Sequence, residues 1–193
     1  MLQQDFPGSD LMFAKELAYT IPETMYEEVA KMSNIQHTFL IRDPKRVIYS
    51  MFKMSDSLTY DKFAPSETGY EELCELYRVV KKNSSTPPIV VDAYDIQAHP
   101  AEIMKLYCDG IGIQFESHMT LWEPGPIPGA TECWKNYRTA SETSSGFVRV
   151  DYSEQKPIPL DELPKEVLDC IDQCQPYYEE MLAERIKPQQ SHV

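Results

Sequence analysis

The sequence predicts an α/β fold with a parallel sheet, and two observations carry this prediction. Two short, continuous apolar runs, HTFLIR at 37–42 and PIVVDAY at 88–94, have the pattern of strands buried on both faces of a parallel sheet. Each run is followed by a proline-containing helix start, and the stretch between the runs is long enough for helices. The resulting order, strand–helix–helix–strand–helix, is typical of α/β proteins.

The first helix is predicted directly after the first strand. Asp43 has the residue type of an N-cap, and Pro44 suits the first helical position. An apolar stripe follows at helical spacing: Val47, Ile48, Met51 and Phe52. A second helix is expected from Thr68, where Thr68 and Glu71 have the spacing of a capping box.

The second half of the chain is predicted to contain further helices around a long loop. His99-Pro100 begins a helix that is expected to end near Gly110, and residues 121–160 read as an ordered but irregular loop. A helix follows Pro164, and Pro176 is expected to interrupt it and to start another. Residues 10–17 form a weaker strand candidate. We expect one domain over 1–187 and a flexible tail over 188–193.

Composition excludes several classes of function. The chain of 193 residues has 31 acidic and 18 basic side chains, a net charge of −13, which disfavours nucleic acid as a partner. It has no apolar run long enough for a membrane span and no secretory leader pattern, so a cytoplasmic location is expected. The five cysteines are widely spaced, which favours buried free thiols, and no cysteine–histidine group has zinc spacing, so no metal is expected.

One basic corner stands out in this acidic chain. Arg42 ends the first predicted strand, at the sheet edge where ligands of α/β proteins collect. Lys45 and Arg46 fall in the first turn of the next helix, where the helix dipole disfavours cations and where free backbone N–H groups are expected. An anion site that also includes Ser50 explains the pattern. The alternative is that Arg42 pairs with Asp43 or another carboxylate and that the other cations face water.

The segment FLIRDPKRVIYSMF resembles the 3′-phosphate-binding segment of sulfotransferases that use 3′-phosphoadenosine-5′-phosphosulfate (PAPS). The resemblance implies that Arg42 and Ser50 hold the 3′-phosphate of this co-substrate. WKNY at 134–137 is similar to part of the family's late nucleotide-binding loop, which implies that Trp134 and Lys135 close over the nucleotide. DIQAHPAEIMKLYCDGIGI, WEPGP and SSGF also look like family segments, so the resemblance extends over roughly residues 10–186.

The resemblance implies a three-layer α/β sandwich with a central parallel sheet, of the P-loop nucleotide-transferase type. The family's phosphosulfate loop, rich in Gly, Ser and Thr, is not found before residue 37, where Gly8 is the only glycine, so an N-terminally truncated form is expected. The catalytic histidine is not found either. Lys15 is retained at a family-like position and Glu16 is a candidate base, whereas Leu17 and Tyr19 stand where family branches carry histidine.

Two further family features are missing. Ala93 stands where a nucleotide-contacting tyrosine is usual, and the basic end of the late loop is replaced by ATEC before Trp134.

The resemblance implies transfer of a sulfuryl group from PAPS to an acceptor hydroxyl or amine, with a small-molecule nucleotide and an unidentified acceptor as partners. The alternatives are an inactive fragment or remnant that keeps the fold and a 3′-phosphonucleotide site, and an α/β protein with no nucleotide site.

Overall fold

The computed structural model describes residue 8 and residues 11–57, 63–127, 141–147 and 158–189. Two strands and six of the longer helical segments organise this part of the chain. They are α1 (Tyr26–Ala30), β1 (Thr38–Ile41), α2 (Pro44–Ser57), α3 (Tyr70–Asn83), β2 (Ile89–Asp92), α4 (Ala93–Ala98), α5 (Pro100–Ile111) and α6 (Lys165–Ala183). The α/β class and the predicted element order are confirmed, with α4 as an additional short helix.

β1 and β2 form a parallel two-stranded sheet in the described part of the chain, and the register aligns Ile41 with Asp92. Both strand carboxyl ends therefore lie at one edge, which we call the carboxyl edge. One sheet face packs against α1, α3 and α6 through a core cluster that includes Phe39, Ile41 and Val90. The other face of β2 packs against Ile103 of α5. The described structure is therefore a small parallel sheet with helices on both sides.

The prediction that both strands are buried on both faces holds only for β2. All four β2 residues are buried, whereas in β1 the side chain of Leu40 is 64% exposed between buried Phe39 and Ile41. The difference arises because α5 lies over β2, and among the described residues no helix covers the Leu40 face of β1 to a similar extent.

The predicted break at Pro176 is wrong, because α6 runs through this residue as one helix. Proline removes one backbone hydrogen bond, at a cost of roughly 3 kcal/mol. Buried side chains on both sides of it hold the helix in place, with Ile171 and Cys174 before it and Met181 after it. Each such side chain contributes about 1.5–3 kcal/mol, so packing outweighs the lost bond.

The capping box predicted at Thr68 is also wrong. The Thr68 hydroxyl donates to the Pro65 carbonyl in a preceding turn, and Gly69 occupies the N-cap position of α3 with a φ of 68°. A Cβ atom at Gly69 would lie 3.2 Å from the Tyr19 ring. Glycine therefore allows both the left-handed turn and the close approach of the N-terminal segment to the start of α3.

The cysteine prediction is confirmed for the four cysteines that the structure describes, whereas Cys133 lies outside the described residues. Cys74, Cys108, Cys170 and Cys174 are buried and free. Burial raises the pKa of Cys74 to about 11 and that of Cys170 to about 12, so these thiols stay protonated at neutral pH.

Candidate functional site

Arg42 is the first residue after β1 and lies at the carboxyl edge of the sheet. Its side chain is exposed. Within the described ranges, its guanidinium makes no hydrogen bond and no ion pair. The alternative in which Asp43 neutralises Arg42 is not what the structure shows. An arginine that has no counter-charge among the described residues of a chain of net charge −13 is open to an external anion.

Asp43 instead caps α2, as the sequence predicts. Its Oδ1 accepts a hydrogen bond of 2.9 Å from the Lys45 backbone N–H. The next two amides, those of Arg46 and Val47, donate to the Asp43 carbonyl at 3.0 and 3.2 Å. Pro44 has no N–H to offer.

The expectation of free backbone N–H groups at this helix start is therefore wrong. Each donor of the first turn already has a partner, because Asp43 accepts through both its side chain and its carbonyl oxygen. An anion at this corner must be bound by side chains. The positive end of the α2 dipole still lies at this corner and would favour a bound phosphate.

Two further polar side chains of α2 are available at this corner. Ser50 and Lys45 are exposed, and neither side chain has a hydrogen bond or ion pair to another described residue. Ser50 lies roughly 9 Å along the helix axis from Pro44, at 1.5 Å per residue. An extended Arg42 side chain and a phosphate group together can span the distance to Ser50.

The end of β2 forms the second half of the carboxyl edge and is occupied by a structural carboxylate. Asp92 is 3% exposed, and its Oδ1 accepts from the Tyr94 and Asp95 amides. The hydroxyl of Tyr178 donates to Asp92 Oδ2 over 3.1 Å. Burial raises the pKa of Asp92, and the hydrogen bonds oppose that shift. Asp92 thereby joins β2, α4 and α6.

A second link fixes the end of α6 to the same edge. The Arg185 Nε donates to Asp95 Oδ2 over 2.7 Å, and its Nη1 donates to the Leu182 carbonyl. Both side chains are largely buried, at 24% and 10% exposure. The Asp95 carboxylate thus holds Arg185 at this edge.

The sequence reading missed Tyr70 as a component of this corner. Tyr70 begins α3, is 7% exposed, and donates its hydroxyl proton to the Arg42 carbonyl over 2.7 Å. The sequence shows it only as one apolar position of an amphipathic helix. Its polar end points to a strand 28 residues earlier in the chain, and helical periodicity carries no information about that contact.

Lys15 and Glu16 lie in a segment that forms neither helix nor strand, so the weak strand candidate at 10–17 is wrong for the described residues 11–17. Both side chains are exposed, and neither forms a hydrogen bond or ion pair with another described residue. Tyr19 nevertheless packs against Gly69, next to Tyr70. The segment therefore passes close to the start of α3.

The late loop, predicted over 121–160, is described over 121–127, 141–147 and 158–160, and the first two of these stretches pair with each other. Leu121 and Gly146 form an antiparallel bridge, and the Trp122 ring lies edge-on to Phe147 at 5.4 Å. The Trp122 indole N–H donates to Ser144 Oγ. Trp134 and Lys135 lie outside the described residues, so their predicted role stays a prediction.

Two of the described histidines have polar partners. His37 Nε2 donates to the Val29 carbonyl over 3.0 Å, and burial lowers the pKa of His37. His118 lies beside Glu116 on the surface. No group of three or more metal-binding side chains occurs among the described residues.

In the described part of the chain, no helix combines the length and apolar character required to cross a membrane.

Comparison with known proteins gives sequence relatives but no solved structure that matches. Branched-chain-amino-acid aminotransferase-like proteins 2 and 1 of Arabidopsis thaliana are 32% and 34% identical over 149 and 120 residues. These matches cover 76% and 60% of this chain but 24% and 20% of the relatives. Sulfotransferase ppzF of Metarhizium majus is 38% identical over 92 residues, 39% of this chain and 27% of that protein.

The chain thus spans about a quarter or less of the curated relatives it matches. The sequence pattern of the sulfotransferase domain matches residues 8–185, which includes the Arg42 corner, both strands and α6. This extent covers most of the chain and agrees with the resemblance seen at the 3′-phosphate segment. The chain belongs to the sulfotransferase domain family.

Proposed function

We propose that the carboxyl edge binds the 3′-phosphate of an adenine nucleotide, and that the chain serves sulfuryl transfer from PAPS to an acceptor hydroxyl or amine. The observation that carries the proposal is the exposed Arg42 guanidinium, which has no acidic partner among the described residues. Ser50, eight residues later, is exposed on the same helix–strand corner and suits a neutral hydrogen bond to the phosphate. Trp134 and Lys135 are proposed to cover the nucleotide.

The three-layer sandwich of the P-loop nucleotide-transferase type remains part of this proposal, as does the single domain over 1–187. Two parallel strands with helices on both sides are compatible with it. The names of the plant relatives mention an aminotransferase. We extend no such activity to this chain, because it matches about a quarter or less of each of those proteins.

Sulfuryl transfer requires an acceptor oxygen or nitrogen to attack sulfur while the sulfur–oxygen bond to the 5′-phosphate breaks. The acceptor proton passes to a base, and cations neutralise the charge that develops on the departing 3′,5′-ADP. Glu16 is the proposed base and Lys15 the proposed cation. Because neither side chain is held by a described neighbour, nucleotide binding is better supported than catalysis.

The second candidate is therefore a non-catalytic protein that keeps the 3′-phosphonucleotide site. The unanchored Lys15 and Glu16 favour it. The two candidates share the Arg42 site and differ in whether 3′,5′-ADP is released from PAPS in the presence of acceptors. Glu16→Gln is expected to abolish that release in an enzyme and to leave nucleotide binding unchanged in both cases.

The binding site itself is tested by calorimetric titration of 3′,5′-ADP into the wild type, Arg42→Ala and Lys105→Ala. Hydrogen bonds to charged groups are worth about 1.5–3 kcal/mol, so Arg42→Ala is expected to weaken binding roughly 10- to 100-fold. Lys105→Ala removes the same charge from exposed Lys105 on α5, outside the proposed site, and is expected to leave the affinity within about twofold, because exposed charges are screened by salt. Equal affinities for the wild type and Arg42→Ala, or no binding by either, would exclude the site.

A further inference from the structure

The peptide group that carries Arg42 lies at a junction between two regular elements. The strand register ends with Ile41 opposite Asp92, and the first acceptor of α2 is the Asp43 carbonyl. The Arg42 carbonyl falls between them. Its hydrogen bond comes from a side chain of another element, the Tyr70 hydroxyl, at 2.7 Å.

Tyr70 is well suited to hold this peptide in one orientation. Its ring is 7% exposed and packs in the core cluster that contains Ile48 of α2 and Ile171 of α6. Burial, with smaller contributions from the Cys174 thiol and the Asp43 carboxylate, raises the pKa of Tyr70 far above its ordinary value, so the hydroxyl remains a donor. A rigid ring and a short bond together restrict the backbone from which the Arg42 side chain projects.

We propose that Tyr70 is a positioning residue for the 3′-phosphate site. Its hydroxyl fixes the Arg42 peptide, so that this part of the backbone need not be ordered when the guanidinium binds the phosphate. The proposal rests on the function proposed above and assigns to it a residue that does not touch the ligand. Preorganisation strengthens binding because less conformational freedom is lost when the ligand arrives. The hydroxyl of Tyr70 therefore contributes to phosphate preference as well as to stability.

A matched control is available at the neighbouring strand end. Tyr178 also donates a hydroxyl hydrogen bond to the carboxyl edge, but its acceptor is Asp92 at the end of β2. Tyr178→Phe and Tyr70→Phe thus remove the same group at the same sheet edge, from a partly buried and a buried tyrosine. Only Tyr70→Phe releases the peptide that carries Arg42.

The test measures affinity for 3′,5′-ADP and for 5′-AMP, which lacks the 3′-phosphate, and takes the ratio as the phosphate preference. We expect Tyr70→Phe to reduce this ratio about 3- to 10-fold, within the range of one lost hydrogen bond. Tyr178→Phe is expected to leave the ratio within about twofold, and both variants are expected to lower Tm by about 2–8 °C. In an Arg42→Ala background, Tyr70→Phe is expected to change the ratio no further.

The outcomes separate this inference from the proposed function. If the wild type prefers 3′,5′-ADP and Arg42→Ala loses that preference, but Tyr70→Phe keeps it, Tyr70 is purely structural and only the present inference fails. An equal loss in Tyr178→Phe also overturns it. If the wild type shows no preference, the phosphate site fails and the positioning role with it. Should Tyr70→Phe fold poorly, the titrations are made at low temperature in TMAO, which favours the folded state.

Discussion

Gly110 shows how closely α5 approaches the sheet, and its replacement has a consequence that can be worked out from the structure. The helix end predicted near Gly110 agrees with the observed end of α5 at Ile111, and Gly112 is the residue that caps it. A Cβ atom at Gly110 would lie 2.5 Å from Cδ1 of Ile89 and 3.2 Å from its Cγ1. The glycine therefore allows the helix to contact β2 rather than ending the helix.

Two opposing effects decide the result of Gly110→Ala. Alanine in a helix is favoured over glycine by about 1 kcal/mol. An overpacked contact costs about 1–3 kcal/mol, and Ile89 is buried with little room to rotate. We expect a net loss of about 1 kcal/mol. Ile89→Val deletes the clashing Cδ1 atom and alone costs about 0.5–1.5 kcal/mol.

The double variant Gly110→Ala/Ile89→Val is expected to be about as stable as the wild type, because the clash is gone while the helix preference remains. The coupling energy between the two sites is then about 1–2 kcal/mol. Urea unfolding followed by circular dichroism measures all four proteins, with equal m-values as the control for two-state behaviour. Strict additivity of the two losses, or a Gly110→Ala protein more stable than the wild type, would refute this account of the contact.

Two further predictions concern charge. Burial lowers the pKa of His37 from 6.5, so below that pH the unfolded chain binds a proton that the folded chain resists. The free energy of unfolding is therefore expected to fall as the pH decreases from 7.5 to 5.5, and to fall less in His37→Gln. Urea unfolding at each pH measures it. An equal fall in both proteins would contradict the lowered pKa of His37. Arg185→Met is expected to cost about 1.5–3 kcal/mol, the range of a hydrogen bond to a charged group, by leaving the Asp95 carboxylate without its partner. Adding Asp95→Asn should recover part of that loss. A double variant less stable than Arg185→Met would contradict this explanation in the same unfolding assay.

Local chemistry allowed the sequence to predict the elements, but not the contacts between them. Asp43-Pro44 marks the start of α2 because capping and proline act within a few residues. The helix break predicted at Pro176 is wrong because the packing that keeps α6 continuous comes from other elements. The exposure of Leu40 was equally unpredictable, since an apolar run does not show where a covering helix lies.

The sequence likewise predicted some residues of the candidate site and missed others. Arg42 and Ser50 were identified because a strand end and a helix start are local features, and the structure leaves both side chains available. Tyr70 and Tyr178 were not identified, because their roles depend on hydroxyl contacts across 28 and 86 positions of the chain. Periodicity assigns such residues to the core and does not show where their polar ends point.

The capping of α2 by Asp43 has a consequence for the physical character of recognition at this corner. Since the backbone donors of the first turn are occupied, a phosphate there depends on exposed, solvated side-chain cations rather than on a cradle of amides. Such attraction is weakened by dissolved ions over a Debye length of about 8 Å at physiological ionic strength. The nucleotide binding proposed for this corner is therefore expected to weaken as the ionic strength of the medium rises.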